Sequence, residues 1–253
     1  MVDGMAGVVL AAGAGTRLRP LTRFRPQALC PVGNVALVDL ALDRVMGAVG
    51  AREDVAVNVH HCRQAMEDHL AGAGVHLSVE LEQALGTAGA LGHLRGWLDG
   101  RAVLVVNADA WCPGSLAAFA EGWDGDRVRL LLSGDDELHG TSAVAGAIMP
   151  WSAVRELEAE PSGLYEEVWR PAQAGGRVDV VRHDGPFVDC GTPADYLRAN
   201  LLASGGKSVV GEGATVDGTI DRCVVWPEAV VWPGESLSRA IRMTDTATVL
   251  VRP

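Results

Sequence analysis

The sequence predicts an α/β fold: a Rossmann-like, mostly parallel sheet with helices on both faces, plus a short C-terminal left-handed β-helix of hexapeptide repeats. Three observations lead there. Apolar runs of strand length alternate with amphipathic stretches through the first two hundred residues, the rhythm of βαβ units. The first run is continuously apolar, as a strand buried on both faces must be, and it ends in glycine. Beyond residue 207 the apolar spacing changes to six.

The elements follow in order. Residues 6–12 read as the first strand, and 35–49 as a helix with Asn34 placed as its N-cap. Val55–Val59 reads as strand, Arg63–Leu70 as helix, 76–81 as strand, 88–98 as helix and 102–106 as strand. Two more strands, 127–132 and 142–148, suit an antiparallel return. Thr192-Pro193-Ala194-Asp195 carries a capping residue, a proline at the first helical position and an acid at the third, so a helix starts there and runs to about residue 202. Residues 204–207 form a flexible linker, which divides the chain into a domain at 1–203 and a tail at 208–253.

In the tail Val210, Val216, Val225, Val231 and Leu237 recur at six residues with one step of nine, and Gly211, Ala214 and Ala229 stand at corner positions. A hexapeptide β-helix produces this pattern; a plain β-meander with accidental spacing is the alternative. About two coils fit, enough for a cap or for an interface between copies of the chain.

Composition narrows the function classes. A net charge of −11 argues against a nucleic-acid partner and against an anionic membrane surface, and no apolar run is long enough to span a bilayer. Five widely spaced cysteines without a CxxC pair indicate neither zinc nor a disulfide framework, and read as reduced, mostly buried thiols of a cytoplasmic protein. Lys207 is the only lysine, so other positive charge is carried by arginine.

The strongest chemical signal closes the first strand: Leu10-Ala11-Ala12-Gly13-Ala14-Gly15-Thr16-Arg17. A glycine-rich turn after a strand exposes backbone N–H groups that can surround phosphate oxygens, and Arg17 adds a permanently charged fork. The segment is neither a P-loop nor a GxGxxG dinucleotide turn, because no Gly-Lys-Ser/Thr follows and Leu18 stands where the third glycine belongs. Asp109 and Asp189 each follow or end a short apolar strand. Alone, each reads as a loop acid or helix cap; together at sheet edges they can share one Mg²⁺, a hard cation that prefers carboxylate, water and phosphate oxygens. Thr87 can cap the helix at 88–98, bring its backbone to a base edge, or both. The acids at 156–160 suit a solvated helix face, His60 and His61 a loop, and Trp226 and Trp232 packing of coils or an oligomer interface.

The run LAAGAGTRLRPLT resembles the signature of the sugar-1-phosphate nucleotidyltransferases, among them the mannose-1-phosphate guanylyltransferases. Three further segments are similar in the same order: Glu82-Gln83-Ala84-Leu85-Gly86-Thr87-Ala88-Gly89, Asn107-Ala108-Asp109, and Phe187-Val188-Asp189-Cys190-Gly191-Thr192-Pro193. The resemblance implies transfer from a nucleoside triphosphate to a sugar 1-phosphate, with Mg²⁺ held by Asp109 and Asp189. It implies nucleotide contacts from Leu10, Ala11, Ala12, Gly13, Gly15, Thr16, Arg17 and Asn107, and base reading by Glu82, Gln83, Gly86 and Thr87. Gly146, Glu166 and Arg170 fall to the sugar phosphate, and Arg17, Gln27 and Asp109 to catalysis. The Leu85–Gly89 run and the tail look most like the guanylyltransferase branch, which puts GTP first and leaves UTP and dTTP open.

One departure stands out. Gln27 occupies the place of the family's phosphate-contacting lysine, and no lysine stands between Tyr165 and Pro171, where a second is usual. Arg23, Arg25 and Arg170 can supply charge from nearby. The alternative function is therefore a nucleotide- or NDP-sugar-binding protein impaired in turnover.

Overall fold

A computed structural model describes residues 4–252. In chain order the elements are β1 (Met5–Leu10), β2 (Pro31–Val32), β3 (Val35–Ala36), α1 (Leu37–Val49), β4 (Val55–Val59), α2 (Arg63–Leu70), β5 (His76–Val79), α3 (Gly86–His93), α4 (Arg95–Leu98), β6 (Ala102–Asn107) and β7 (Ala110–Trp111). Then follow α5 (Ala117–Ala120), β8 (Val128–Ser133), β9 (Ala143–Met149), α6 (Trp151–Val154), a π-helical turn at Tyr165–Trp169, α7 (Arg170–Ala174), β10 (Val178–His183), β11 (Val188–Asp189) and α8 (Pro193–Ala203). The tail adds β12 (Val209–Val210), β13 (Thr215–Val216), β14 (Thr219–Asp221), β15 (Val224–Val225), β16 (Val230–Val231), β17 (Ser236–Ser238), β18 (Ala240–Arg242) and β19 (Thr248–Leu250).

Two compact units are interleaved along the chain, and their division does not fall at residues 204–207. Unit 1 takes the chain up to Gly13 with Leu40–Ala108 and Cys112–Phe187; unit 2 takes Ala14–Asp39, Asp109–Trp111 and the chain from Val188 on.

Unit 1 holds a seven-stranded sheet in the order β10-β8-β9-β6-β1-β4-β5. β1 pairs parallel with β4 and β6, β4 with β5, and β10 with β8. β9 is the antiparallel return, running against both β6 and β8. Successive side chains of β1 point to opposite faces. Ala6 and Val8 pack in one core with Leu91, Leu94 and Leu98 of the α3–α4 region, while on the other face a Cβ at Gly7 would lie 2.2 Å from Cγ1 of Val45 on α1. Glycine at position 7 thus lets α1 sit against the sheet, and helices cover both faces.

α3 owes its placement to three glycines at a spacing of three. A Cβ on Gly86, Gly89 or Gly92 would stand 2.4, 2.0 or 2.2 Å from the carbonyl oxygens of Ser162, Glu160 and Glu158. The bare helix face therefore accepts the backbone of residues 158–162 directly, pinned where the Ala88 N–H donates to Ser162 O at 3.0 Å and the Ser162 N–H to Leu85 O at 3.1 Å. The acids at 156–160 lie on this loop and not on a helix, since α6 ends at Val154.

In unit 2, α8 begins as its sequence prescribes: the Thr192 hydroxyl accepts the Asp195 N–H. Tyr196 on α8 is fully buried, donating to Pro31 O at 2.5 Å and accepting from Trp226 Nε1 at 2.9 Å. The Arg25 guanidinium stacks 4.2 Å over the Trp226 ring. Trp226 thus packs inside unit 2, whereas Trp232 is exposed. The tail strands pair each with a later one: β12 with β15 and β15 with β18, β13 with β16, β14 with β17, all parallel. A meander would pair neighbours antiparallel, and among the described residues of the tail only β18–β19 does so.

Several local expectations are corrected. Asn34 is no N-cap: with Gly33 it forms a two-residue hairpin turn between β2 and β3, φ being 68° and 59°, and α1 starts at Leu37. The first strand stops at Leu10. The single helix at 88–98 is two helices that begin at Gly86 and break at Leu94. Val210 is 39% exposed; Val209 is the inward residue of β12.

Candidate active site

In unit 1 the chain leaves β1 at Leu10, and the next N–H, that of Ala11, donates to Asn58 Oδ1 at 2.7 Å. The amide of Asn58, an interior residue of β4, donates to Glu80 Oε1 at 2.7 Å. The other Glu80 oxygen accepts the Leu85 N–H at 2.8 Å. Both side chains are buried, at 2% and 3% exposure. The start of the glycine loop and the residue before α3 are thereby joined through three short hydrogen bonds. The Ala11 N–H, read from sequence as available to phosphate, is committed to Asn58.

Glu82 and Gln83 lie exposed on the loop that follows, and Gly86 has φ 69°, a conformation suited to glycine. Thr87 does not cap α3; it lies within the helix, and its hydroxyl accepts the Leu164 N–H at 2.8 Å. Asn107 ends β6 exposed. Leu10, Thr87, Asn107, Leu164 and Trp169 line a cavity of about 40 Å³. The indole N–H of Trp169 is buried without a hydrogen-bond partner among the described residues.

The residues assigned to the sugar phosphate are spread over unit 1. Gly146 is buried in β9 opposite Leu131 of β8, and a Cβ there would touch Leu116 and Phe119 at 3.5–3.7 Å. Glu166 is exposed in the π-helical turn, a distortion that recurs at functional sites, and Arg170 begins α7 exposed. His60 Nδ1 lies 2.7 Å from Glu80 O.

Unit 2 gathers the charged groups. Thr16 is exposed on the loop, as is Gly13 where unit 1 hands the chain over, and Gly15 turns it at φ 57°. The Gly15 carbonyl accepts the Thr22 hydroxyl at 2.9 Å, and a Cβ on Gly15 would stand 2.7 Å from both Gln27 Oε1 and Thr22 Cγ2. Arg17 Nη2 pairs with Asp189 Oδ2 at 3.3 Å, both side chains more than half exposed. Glycine at 191 makes room for them: a Cβ there would stand 2.7 Å from Arg17 Nη2 and 2.9 Å from Asp189 Oδ1.

β7 and β11 pair antiparallel, with Asp189 opposite Ala110 and the Cys190 N–H donating to Asp109 O at 2.9 Å. This ladder brings Asp109 beside Asp189. Burial first, and the neighbouring Asp189 charge second, push the Asp109 carboxyl from its ordinary 3.8 up to about 6; its own backbone N–H and Arg17 oppose the rise. Cys190 is inert as a nucleophile, since burial raises its thiol to about 12.

Gln27 is buried at 7% exposure, and its Nε2 donates to Cys190 O at 3.3 Å. The amide expected to reach a phosphate is thus engaged with the backbone that follows Asp189.

The donor set suits a hard divalent cation. Two carboxylates from different segments stand together, one of them destabilised as an anion by the other, and a nearby cation relieves such a pair. Among the described residues no group of three or more histidine, cysteine or acidic side chains gathers as a metal cage. Mg²⁺ commonly keeps waters and substrate phosphates for its other positions, so two carboxylates are enough.

Sequence reasoning missed Asn58 and Glu80. A signal was present: a polar residue inside the apolar run VAVNV, and an acid straight after a strand, each in a place where burial demands a partner.

Residues 6–124 match the nucleotidyl transferase family model. The chain is 34% identical over 229 residues to the N-acetylmuramate alpha-1-phosphate uridylyltransferase of Caulobacter vibrioides, spanning 76% of this chain and 94% of that protein. It is 25% identical to a mannose-1-phosphate guanylyltransferase of Mycobacterium tuberculosis over 92% of this chain and 78% of the other. In fold it is similar to a Thermus thermophilus structure described as a mannose-1-phosphate geranyltransferase, with TM-score 0.72, 20% identity, and coverage of 98% and 95%.

Proposed function

The chain belongs to the nucleotidyl transferase family, whose members similar to it are sugar-1-phosphate nucleotidyltransferases, and from that premise we propose that it forms an NDP-sugar and pyrophosphate from a nucleoside triphosphate and a sugar 1-phosphate. UTP stands first and GTP second, because the 34% identical relative is a uridylyltransferase. The observation that carries the reading is the convergence in unit 2 of Arg17, Asp109 and Asp189, residues far apart in sequence, around one small region of opposite charges.

In the reaction an oxygen of the sugar phosphate bonds to the α-phosphorus, the α–β phosphoanhydride bond breaks, and its electron pair leaves on pyrophosphate. Asp109 and Asp189 would hold Mg²⁺, which when bound neutralises phosphate charge. Arg17 serves the departing pyrophosphate, where negative charge gathers in the transition state. The backbone N–H groups of the loop from Ala12 to Thr16 serve phosphate oxygens, while Glu82, Gln83, Gly86 and Thr87 serve the base. Gly146, Glu166 and Arg170 serve the sugar phosphate, with Glu166 toward a hydroxyl. The parallel stacking of the tail strands supports a short hexapeptide β-helix, the segment through which copies of the chain would associate. Among the described residues no helix is long and apolar enough to cross a membrane. With soluble substrates, that suits a cytoplasmic enzyme.

The test is pyrophosphate release with UTP, GTP and dTTP against a panel of sugar 1-phosphates; no release from any pair refutes the reading. A second reading, binding without turnover, is favoured by one observation: the neutral Gln27 amide engaged by Cys190 O where the family has lysine. Nucleotide binding by a chain that releases no pyrophosphate would establish it.

A further inference from the structure

We propose that Asn58 and Glu80 are positioning residues of the nucleotide site, a buried clip that sets the glycine loop after β1 and the base-reading loop before α3 as one piece. The inference rests on the nucleotidyltransferase reading and adds two residues that contact neither substrate nor metal.

The clip is unusual in its completeness. Three donors meet three acceptors: the Ala11 N–H with Asn58 Oδ1 at 2.7 Å, the Asn58 amide with Glu80 Oε1 at 2.7 Å, and the Leu85 N–H with Glu80 Oε2 at 2.8 Å. Both side chains are almost wholly buried, in surroundings where an unmatched polar group is costly. Ordinary sheet pairing needs neither side chain. Asn58 lies in β4 opposite Leu10 and Ser78, where its backbone already takes part in the ladder. The Glu80 N–H already donates to Val59 O at 2.9 Å. The side chains therefore act on the two loops. The first loop residue beyond β1 and the last residue before Gly86 are each held by their N–H, and the segments between and beyond, which carry Gly13, Glu82 and Gln83, are left exposed. Holding the ends while freeing the middle is what a loop that must present backbone groups to a ligand requires.

The donor count supplies a decisive test. In Asn58→Asp two carboxylates face each other across the middle bond. In Glu80→Gln the set is one acceptor short, and every flip of either amide leaves one donor against another. The double variant Asn58→Asp/Glu80→Gln restores all three bonds with the direction of the middle one reversed, and it keeps the single negative charge. We expect each single variant to weaken binding of UTP and GTP, measured calorimetrically with Mg²⁺, by roughly tenfold or more, the double variant returning to within about threefold of the parent. Turnover should show a raised KM for the triphosphate with kcat and the KM for the sugar 1-phosphate little changed, a split that general loosening of the fold does not produce. Amide exchange at Ala11 and Leu85 should speed up in the single variants and slow again in the double.

Single variants that bind nucleotide as the parent does overturn the proposal, as does a double variant that folds and recovers amide protection without recovering affinity. If the single variants do not fold, the double variant alone decides by its affinity. A parent that binds neither nucleotide overturns the functional reading and this proposal with it; amide exchange then still tells whether the clip itself exists, so the two failures are distinguishable.

Discussion

Replacing Asp109 by asparagine should make the metal-free protein more stable at neutral pH while abolishing Mg²⁺-dependent activity. The folded carboxyl titrates near 6 instead of its ordinary 3.8, so above pH 6 the native state holds an anion that burial and Asp189 both disfavour. At 1.36 kcal/mol per pKa unit this rise corresponds to about 3 kcal/mol, and solvent screening of the half-buried group reduces the yield to roughly 1–2 kcal/mol. The sign follows from proton linkage. Between pH 3.8 and 6 the folded state binds more protons than the unfolded one, so wild-type stability falls as pH rises through that window and is level above it. Asparagine removes this loss, so the advantage of the variant should be absent at pH 4, grow through pH 5 and be complete by pH 7. Urea denaturation in EDTA across that range measures it. Added Mg²⁺ should then stabilise the wild type and not the variant, narrowing or reversing the gap. An Asp109→Asn protein no more stable than wild type at pH 8 without metal, or equally favoured at pH 4, would refute the reasoning.

Three other outcomes follow from the same geometry. Arg17→Ala should weaken triphosphate binding or turnover strongly while changing thermal stability little, because its ion pair with Asp189 is more than half exposed and such pairs contribute at most about 1 kcal/mol; unchanged nucleotide kinetics in the folded variant would remove Arg17 from the site. Gln27→Lys should raise kcat more than it changes nucleotide affinity, since a point charge acts mostly on the leaving pyrophosphate, and it should lower the melting temperature because position 27 is buried. Equal kcat values would show that an arginine already fills the role. Gly89→Ala should destabilise by roughly 2–4 kcal/mol, despite the better helix propensity of alanine, because its Cβ would drive the Glu160 carbonyl away and strain the adjoining hydrogen bonds; a chemical denaturation midpoint at or above wild type would contradict the packing described for α3.

From β1 to β6 the order of strands and helices in unit 1 is legible because the apolar runs are long and their periods distinct, whereas α5, α6, α7 and the edge strand β10 are short or half-exposed and escape it. The β2–β3 hairpin escaped because two-residue strands have no period, and Asn34 beside a good helix looked like a cap although its φ of 68° serves a turn. The acids at 156–160 suggest a solvated helix face in sequence because a charge cluster carries no information about the glycines on α3 that hold that loop. At the site, Arg17, Asp109 and Asp189 were legible as types placed after strands. Their proximity depends on the pairing of β7 with β11, two strands of two residues each. The engagement of Gln27 by Cys190, and of Ala11 and Leu85 by Asn58 and Glu80, joins positions 5 to 163 residues apart, and periodicity cannot reveal such partners.

The glycines of α3 carry a lesson for how this kind of chain is recognised. Gly86 and Gly89 belong to the Leu-Gly-Thr-Ala-Gly run, and both are required by the close approach of the 158–162 backbone, whatever lies in the neighbouring pocket. A descendant that had ceased to bind any nucleotide would have to keep these two letters to stay folded. The loop that rests on them meets the helix through its backbone, and the side chains of residues 158–161 are exposed and free to drift. Across relatives, invariant glycines should therefore accompany a variable acidic loop. Presence of the motif then testifies to ancestry and architecture, and evidence of catalysis has to be sought at residues whose loss leaves the fold intact.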